Sequence, residues 1–174
     1  MLKPRWPIGL VVLVCIVVIV GGVIFCWPRQ VTTVLLIRHA EPGDTPPGNP
    51  TLSAAGQARA QTLVHVAGSA GVAAIFATEL TRTQETVQPL ATLLGLSVTQ
   101  VPAADVAGLV SQIRSNHRGQ VVLVAGHSNT VPQIIQELGG GTIASIDGQF
   151  DNLFVVTIHW KRVKVLRLKY GSAS

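Results

Sequence analysis

The chain has 174 residues, of which 48% are hydrophobic and only 12% are charged. This imbalance is concentrated near the N-terminus, because 17 of the 20 residues in positions 8–27 are apolar and the other three are glycines. The rest of the chain has the composition of an ordinary globular domain. Length and composition therefore exclude a polytopic membrane protein, a disordered or collagen-like chain and a multidomain enzyme.

The formal net charge of +5 belongs to the two ends of the chain. Five of the 13 basic residues lie in the last 14 positions, whereas residues 30–160 contain five arginines and eight acidic residues. A nucleic-acid-binding domain would need a basic face interleaved with aromatic side chains. We therefore expect no nucleic-acid partner.

The apolar segment at residues 8–27 predicts a membrane anchor. A helix of 20 residues spans about 30 Å, the thickness of a bilayer hydrocarbon core. No small-residue cleavage site follows it, and Trp6 and Trp27 flank it as interfacial indoles do, which favours an uncleaved span over a signal peptide or a buried helix. Lys3 and Arg5 would keep the N-terminus in the cytoplasm and place the domain on the extracytoplasmic (periplasmic) side.

The expected organisation is a cytoplasmic flank at residues 1–7, a transmembrane helix at 8–27, a linker at 28–32 and one domain at 33–174. Both cysteines lie in the apolar segment, so the domain has neither a disulfide nor a cysteine nucleophile or metal ligand. Short apolar runs predict strands and apolar residues at helical spacing predict helices. In chain order they are strand 33–37, helix 53–67, strand 72–77, helix 80–94, strand 97–101, helix 106–113, strand 121–125, helix 129–138 and strands 153–158 and 163–169.

Strands that alternate with helices predict an α/β fold, a three-layer α/β/α sandwich with a mostly parallel central sheet. In such sheets the ligand binds beyond the carboxyl ends of the strands. Arg38 and His39 follow the first strand, Arg82 lies just after the second, and His127 follows the strand at 121–125. Two guanidiniums and two imidazoles at one edge predict an anionic substrate, and phosphate is the natural candidate.

Two further residues support this prediction. Ser128 and Asn129 stand where the next helix begins, and free backbone N–H groups at a helix start bind anions.

These motifs, in this order, resemble the histidine phosphatase superfamily, which includes phosphoglycerate mutases and small phosphohistidine phosphatases. The resemblance covers residues 31–171. The R-H-x-E signature stands at residues 38–41, the opening of the next helix at 52–56, the arginine motif at 78–86 and the second histidine motif at 124–130.

The resemblance implies that His39 is the nucleophile that carries the phosphoryl group. It implies that Arg38, Arg82 and His127 hold the phosphoryl oxygens, with no metal or other cofactor. In the family the position of Glu41 more often lines the entrance, and Glu41 is expected to bind substrate together with Ser128 and Asn129.

The proton donor is less defined by the motifs. Asp105 is the candidate, and its competing role is to cap the helix at 106–113. Glu41 and Glu79 are alternatives. His65, His117 and His159 lie in no motif and are expected to be structural.

The sequence thus predicts a metal-independent phosphatase that hydrolyses a phosphate monoester or phosphoramidate of a small molecule or a phosphoprotein. A non-catalytic phospholigand-binding module is the alternative. A phosphomutase is a further one, although residues 95–105 are too short for the aromatic and glycine-rich stretch of the mutase branch.

Overall fold

A computed structural model describes residues 30–173. The predicted anchor at residues 8–27 and its flank lie outside these residues. Within residues 30–173, no helix has the length and apolar character that a bilayer crossing requires.

The predicted alternation of strands and helices is confirmed, with boundaries within about three residues of those expected. The elements are β1 (Val31–Arg38), α1 (Ala54–Ala67), β2 (Val72–Thr78), α2 (Thr81–Leu94), β3 (Val98–Val101), α3 (Val106–Asn116), β4 (Val121–Gly126), α4 (Thr130–Glu137), β5 (Asn152–His159) and β6 (Arg162–Lys169).

The sheet is mixed: three of its five pairings are parallel, as expected of a mostly parallel sheet, and the two pairings of β5 are antiparallel. Its strand order is β3-β2-β4-β1-β5-β6, with parallel pairing from β3 to β1 and antiparallel pairing of β5 with both β1 and β6. The reason lies in the connections. Residues 138–151 return the chain to the carboxyl end of β1 without a helix, and residues 160–161 form a tight turn that only antiparallel strands accommodate.

Each face of the sheet carries its own apolar core. In β1, Leu35 and Ile37 pack with α1 and α2, whereas Val34 and Leu36 pack with α3 and α4. A strand covered on both faces needs apolar residues at consecutive positions, which is why β1 is a continuous apolar run.

The loop after β1 is packed tightly on the start of α1. Ser53 caps α1, since its Oγ accepts a hydrogen bond from Gly56 N–H, and Ser53 N–H donates to the Glu41 carbonyl (3.0 Å). A Cβ at position 56 would collide with that same carbonyl oxygen. Glycine at position 56 therefore allows the helix to approach the loop that carries the R-H-x-E motif.

A buried ion pair holds this loop from the other side. Arg59 donates through Nη2 to Glu41 Oε1 (2.6 Å) and through Nε to Oε2 (2.9 Å), while its Nη1 and Nη2 donate to the Tyr170 and Ser172 carbonyls. Burial raises the pKa of Glu41, but the hydrogen bonds from Arg59 outweigh it, so that the pKa lies below its usual value. Arg59 thus joins α1, the loop after β1 and the segment that follows β6.

We expect Arg59→Met to destabilise the domain by about 3 kcal/mol, because it leaves the Glu41 carboxylate four-fifths buried without its cation. Chemical denaturation of the full-length protein measures this. The double variant Arg59→Met/Glu41→Gln should recover much of the loss, since no uncompensated charge remains. A double variant no more stable than Arg59→Met would contradict the assignment of the loss to the unpaired carboxylate.

Candidate active site

The two motif histidines lie side by side because β1 and β4 are paired in parallel. Arg38 is in register with Gly126, and His39 N–H continues the ladder by donating to the Gly126 carbonyl (2.9 Å). The rings of His39 and His127 meet edge to face with centroids 5.3 Å apart, and the two residues are only 4% and 9% exposed. Two imidazoles are therefore held at one carboxyl edge of the sheet.

The tautomer of neutral His39 is set by the backbone. Its Nδ1 lies 2.8 Å from the Ala40 carbonyl, which only accepts hydrogen bonds, so Nδ1 carries the proton and Nε2 the lone pair. Burial lowers the pKa of His39 from 6.5 to about 4, helped by the charges of Arg38 and Arg82, although the bond to Ala40 acts in the opposite direction. His39 is therefore a neutral imidazole at physiological pH.

Two arginines surround these rings. Burial is the main cause that lowers the pKa values of Arg38, His39 and His127, and the charge of Arg82, at the start of α2, lowers all three further. Arg38 donates from Nη1 to the Ile146 carbonyl (3.3 Å), but its buried Nε has no hydrogen-bond partner among the described residues. An anion at this place would satisfy a donor that the protein leaves unused.

A chain of hydroxyl groups orients His127. Thr83 donates to the Leu80 carbonyl (2.6 Å), so its oxygen accepts from Thr78 (2.8 Å), and Thr78 in turn accepts from His127 Nε2–H (2.9 Å). Burial and the charge of Arg82 lower the pKa of His127, while Glu79 raises it. Neutral His127 thus carries its proton on Nε2 and leaves Nδ1 available to a ligand.

The start of α4 is only partly directed to this cluster. His127 N–H is already bonded to Thr130 Oγ1 (2.8 Å), and Asn129 is an exposed N-cap residue without a side-chain cap bond. Ser128 is half-buried and bonded to Asp147, whose charge also acts on Arg38. The structure therefore brings Ser128 beside the cluster, whereas the Asn129 side chain faces solvent.

Two carboxylates proposed for the site are engaged elsewhere. Glu41 is paired with Arg59, as described above, and the structure does not bring its carboxylate to the histidines. Asp105 is exposed and accepts a hydrogen bond from Gly108 N–H through Oδ1 (2.9 Å), so it caps α3. The charge of Glu79 acts on His127, and its Oε2 accepts a hydrogen bond from Ala103 N–H.

Sequence reasoning missed the loop that closes one side of the site. The Phe150 ring lies 4.2 Å from the Arg38 guanidinium carbon and 5.7 Å from the His39 ring. Asp147 contacts Ser128 from the same loop. The available signal was that Phe150 is the one aromatic residue in the polar, glycine-rich stretch of residues 138–151.

The described part of the chain, residues 30–173, contains no group of three or more His, Cys, Asp or Glu residues that could hold a metal ion. The cationic groups of the site are instead the side chains of Arg38 and Arg82, beside the two imidazoles. The cluster is thus equipped to bind an oxyanion and to present the His39 Nε2 lone pair to it.

Comparison with known proteins gives one family match. The model of the histidine phosphatase superfamily (branch 1) matches residues 34–105. This range includes Arg38, His39 and Arg82 and ends before His127. No curated protein matches the chain significantly.

Solved structures share the fold at low sequence identity. The protein histidine phosphatase SixA in complex with tungstate has a TM-score of 0.63 and 18% identity over 79% of this chain and 96% of its own. A mycobacterial glucosyl-3-phosphoglycerate phosphatase has a TM-score of 0.61 and 13% identity over 83% of this chain and 100% of its own. A protein of Escherichia coli K-12, provisionally described as an alpha-ribazole-5'-P phosphatase, has a TM-score of 0.64 and 16% identity over 82% and 98%. The family model thus matches the part of the chain that carries Arg38, His39 and Arg82, and the solved structures show that the chain shares the fold of these phosphatases.

Proposed function

We propose that the chain is a metal-independent phosphatase of the histidine phosphatase superfamily that acts through a phosphohistidine on His39. The observation that carries this proposal is the state of the His39 ring. Its Nδ1 proton is held by the Ala40 carbonyl, its pKa is lowered to about 4, and cationic groups surround it. A neutral imidazole with a fixed tautomer is the nucleophile that phosphoryl transfer requires.

In the first step Nε2 of His39 attacks phosphorus. The new P–N bond forms as the bond from phosphorus to the leaving oxygen or nitrogen breaks, and that atom leaves with the electron pair. In the second step water attacks the phosphohistidine, the P–N bond breaks, and its electron pair returns to Nε2, while one water proton stays on the phosphate and the other passes to solvent. The products are inorganic phosphate and the original neutral imidazole.

Arg38 and Arg82 have the electrostatic role in both steps. Charge spreads over the equatorial oxygens in a loose transition state, and fixed cations stabilise it without reorganising. The unpartnered Arg38 Nε supplies one donor for these oxygens. Protonation of His127 at Nδ1 in the complex would add a further donor.

The leaving group is expected to be a good one. Asp105 is used as a helix cap, and Glu79 accepts a hydrogen bond from Ala103 N–H away from the histidines. Asp147 has its pKa lowered by hydrogen bonds from Ser128 and Ser145, so that it is ionised and cannot donate a proton. Phosphoramidates and acyl phosphates need little acid assistance. They therefore suit this pocket better than alkyl phosphates do.

The membrane anchor at residues 8–27 and the extracytoplasmic location remain part of the proposal. They rest on the length and apolar character of that segment and on the basic residues before it. The substrate would then be a small phosphorylated molecule or a phosphoprotein on the outer side of that membrane.

The nucleophile is tested with the full-length protein in detergent and an aryl phosphate substrate. We expect turnover that persists in the presence of a chelator and falls by on the order of 10⁴-fold in His39→Ala, because no other group carries the phosphoryl intermediate. His65→Ala, an exposed histidine of α1, is the matched control and should keep full activity. Phosphate binding without turnover in the unchanged protein would favour the binding module, and transfer to a second acceptor would favour a mutase.

The lowered pKa of His39 predicts the acid limb of the pH profile. The imidazolium has no lone pair on Nε2, so kcat/KM should fall as the pH drops through about 4, after correction for ionisation of the substrate. The Cε1 proton resonance of His39, identified by its loss in His39→Gln, should titrate over the same range. A midpoint near the ordinary value of 6.5 would contradict this account of the site.

Two substitutions separate the helix-capping role of Asp105 from a role as proton donor. Asp105→Ala should lower stability by about 1 kcal/mol through loss of the α3 cap, whereas Asp105→Asn preserves the cap. Neither should change kcat/KM for aryl or alkyl phosphates. A loss of activity in Asp105→Asn that is confined to alkyl phosphates would show that Asp105 donates the proton after all.

A further inference from the structure

The carboxyl ends of β1, β2 and β4, where His39 lies, form what we call the catalytic end of the domain. The opposite end holds the first described residues of the chain. We call it the entry end, and it consists of the amino ends of β1 and β4 and the turn between β5 and β6. Val31 pairs with His159, and the turn at residues 160–161 lies directly beyond that pair. Gly119, just before β4, donates its N–H to Thr32 Oγ1 (2.9 Å). These contacts fix the turn beside the first described residues of the chain.

An exposed tryptophan stands at this turn. Trp160 is 82% exposed and adopts a φ of 57°, and the nearby Val31 is 45% exposed. An indole in that position contributes little to the core and leaves a large apolar surface in water. Tryptophan with this exposure is typical of an interface where one side is apolar and the other wet.

Charge is also divided between the two ends. Glu137 is the one acidic residue of residues 30–173 that lies at the entry end, where four exposed basic residues stand: Arg114, Arg118, Lys161 and Arg162. The other seven acidic residues lie at or within about one helical turn of the catalytic end. They are Glu41, Asp44, Glu79, Glu85, Asp105, Asp147 and Asp151.

The length of chain before Gln30 limits where this end can be. The apolar segment runs to Trp27, and three residues span at most about 11 Å. If residues 8–27 cross the bilayer, Gln30 and the neighbouring turn must lie at the membrane surface.

We propose that the entry end lies against an anionic phospholipid surface, with the Trp160 indole in the interfacial layer and Lys161 and Arg162 at the headgroups. This inference rests on the proposed anchor. Basic side chains next to an interfacial aromatic are attracted by anionic lipids in whichever leaflet carries them. No other exposed surface of the described domain combines an exposed indole with neighbouring basic residues and proximity to the apolar segment.

This orientation constrains the substrate. From Val31 to Arg38, β1 rises about 23 Å, so that the cluster around His39 lies at the far end of the sheet from the membrane. Headgroup phosphates of the lipids beneath the domain would be out of reach. The substrate class is therefore a phosphate carried by a soluble molecule or by a protein that stands well clear of the bilayer.

Trp160 fluorescence in the full-length protein tests this orientation. In a Trp6→Phe/Trp27→Phe background, Trp160 is the one remaining tryptophan. We expect a blue shift of its emission in nanodiscs that contain phosphatidylglycerol, and loss of emission when a headgroup spin-labelled lipid is included. Lys161→Gln/Arg162→Gln should weaken both effects and leave phosphatase activity unchanged.

The matched control moves the probe to the catalytic end. Adding Trp160→Phe and Ala104→Trp places an exposed indole in the loop after β3, which should be neither shifted nor quenched. An unquenched Trp160, or equal quenching of both probes, would overturn the orientation while the anchor stands. Failure of the protein to float with phosphatidylglycerol vesicles would overturn the anchor and the orientation together. Phosphatase activity of the same sample is measured separately, so the proposed function is judged independently.

Discussion

The hydrogen bond from His39 N–H to the Gly126 carbonyl extends the parallel ladder of β1 and β4 past the end of both strands. It fixes the backbone of the two motif histidines at the same edge of the sheet, whatever their side chains do. The contacts of the rings follow from this backbone placement, since the Ala40 carbonyl and the Thr78 hydroxyl lie within hydrogen-bond distance of one ring each. The orientation of both imidazoles is therefore set by secondary structure and its immediate neighbours, and not by a ligand.

A second constraint keeps a carboxylate away from the nucleophile. Glu41 follows His39 by two residues, and an unpaired anion so close would raise the pKa of the imidazole and compete for the guanidiniums. Its bonds to Arg59 remove both effects, and they require α1 to lie directly on the loop, which Gly56 permits. The stability of the loop and the positive potential of the pocket thus have the same structural cause.

The sequence was sufficient to predict the site residues that lie at the ends of strands. Arg38, His39 and His127 lie at the carboxyl ends of adjacent parallel strands, so their meeting at one edge of the sheet was predictable from the apolar runs, whereas the order of the strands was not. Phe150 and Asp147 were not, because their place depends on residues 138–151 returning to the catalytic end, a path that no local pattern records. Asp105 shows a different limit, since a capping carboxylate and a proton donor have the same sequence signature.

The net charge of the domain does not indicate what the pocket binds, because salt screens exposed carboxylates more strongly than partly buried arginines. The carboxylates of Asp44, Glu79, Asp105 and Asp147 are exposed around the catalytic end, where salt screens them within about 8–10 Å. Arg38 and Arg82, whose charges act on the two histidines, are partly buried and are therefore screened less by salt. A polyanion such as nucleic acid would have to lie along the acidic rim to reach them, whereas a single phosphate group enters past it. The high pI belongs largely to the opposite end of the domain and to the N-terminal flank, so it does not oppose the proposed binding of a single phosphate group.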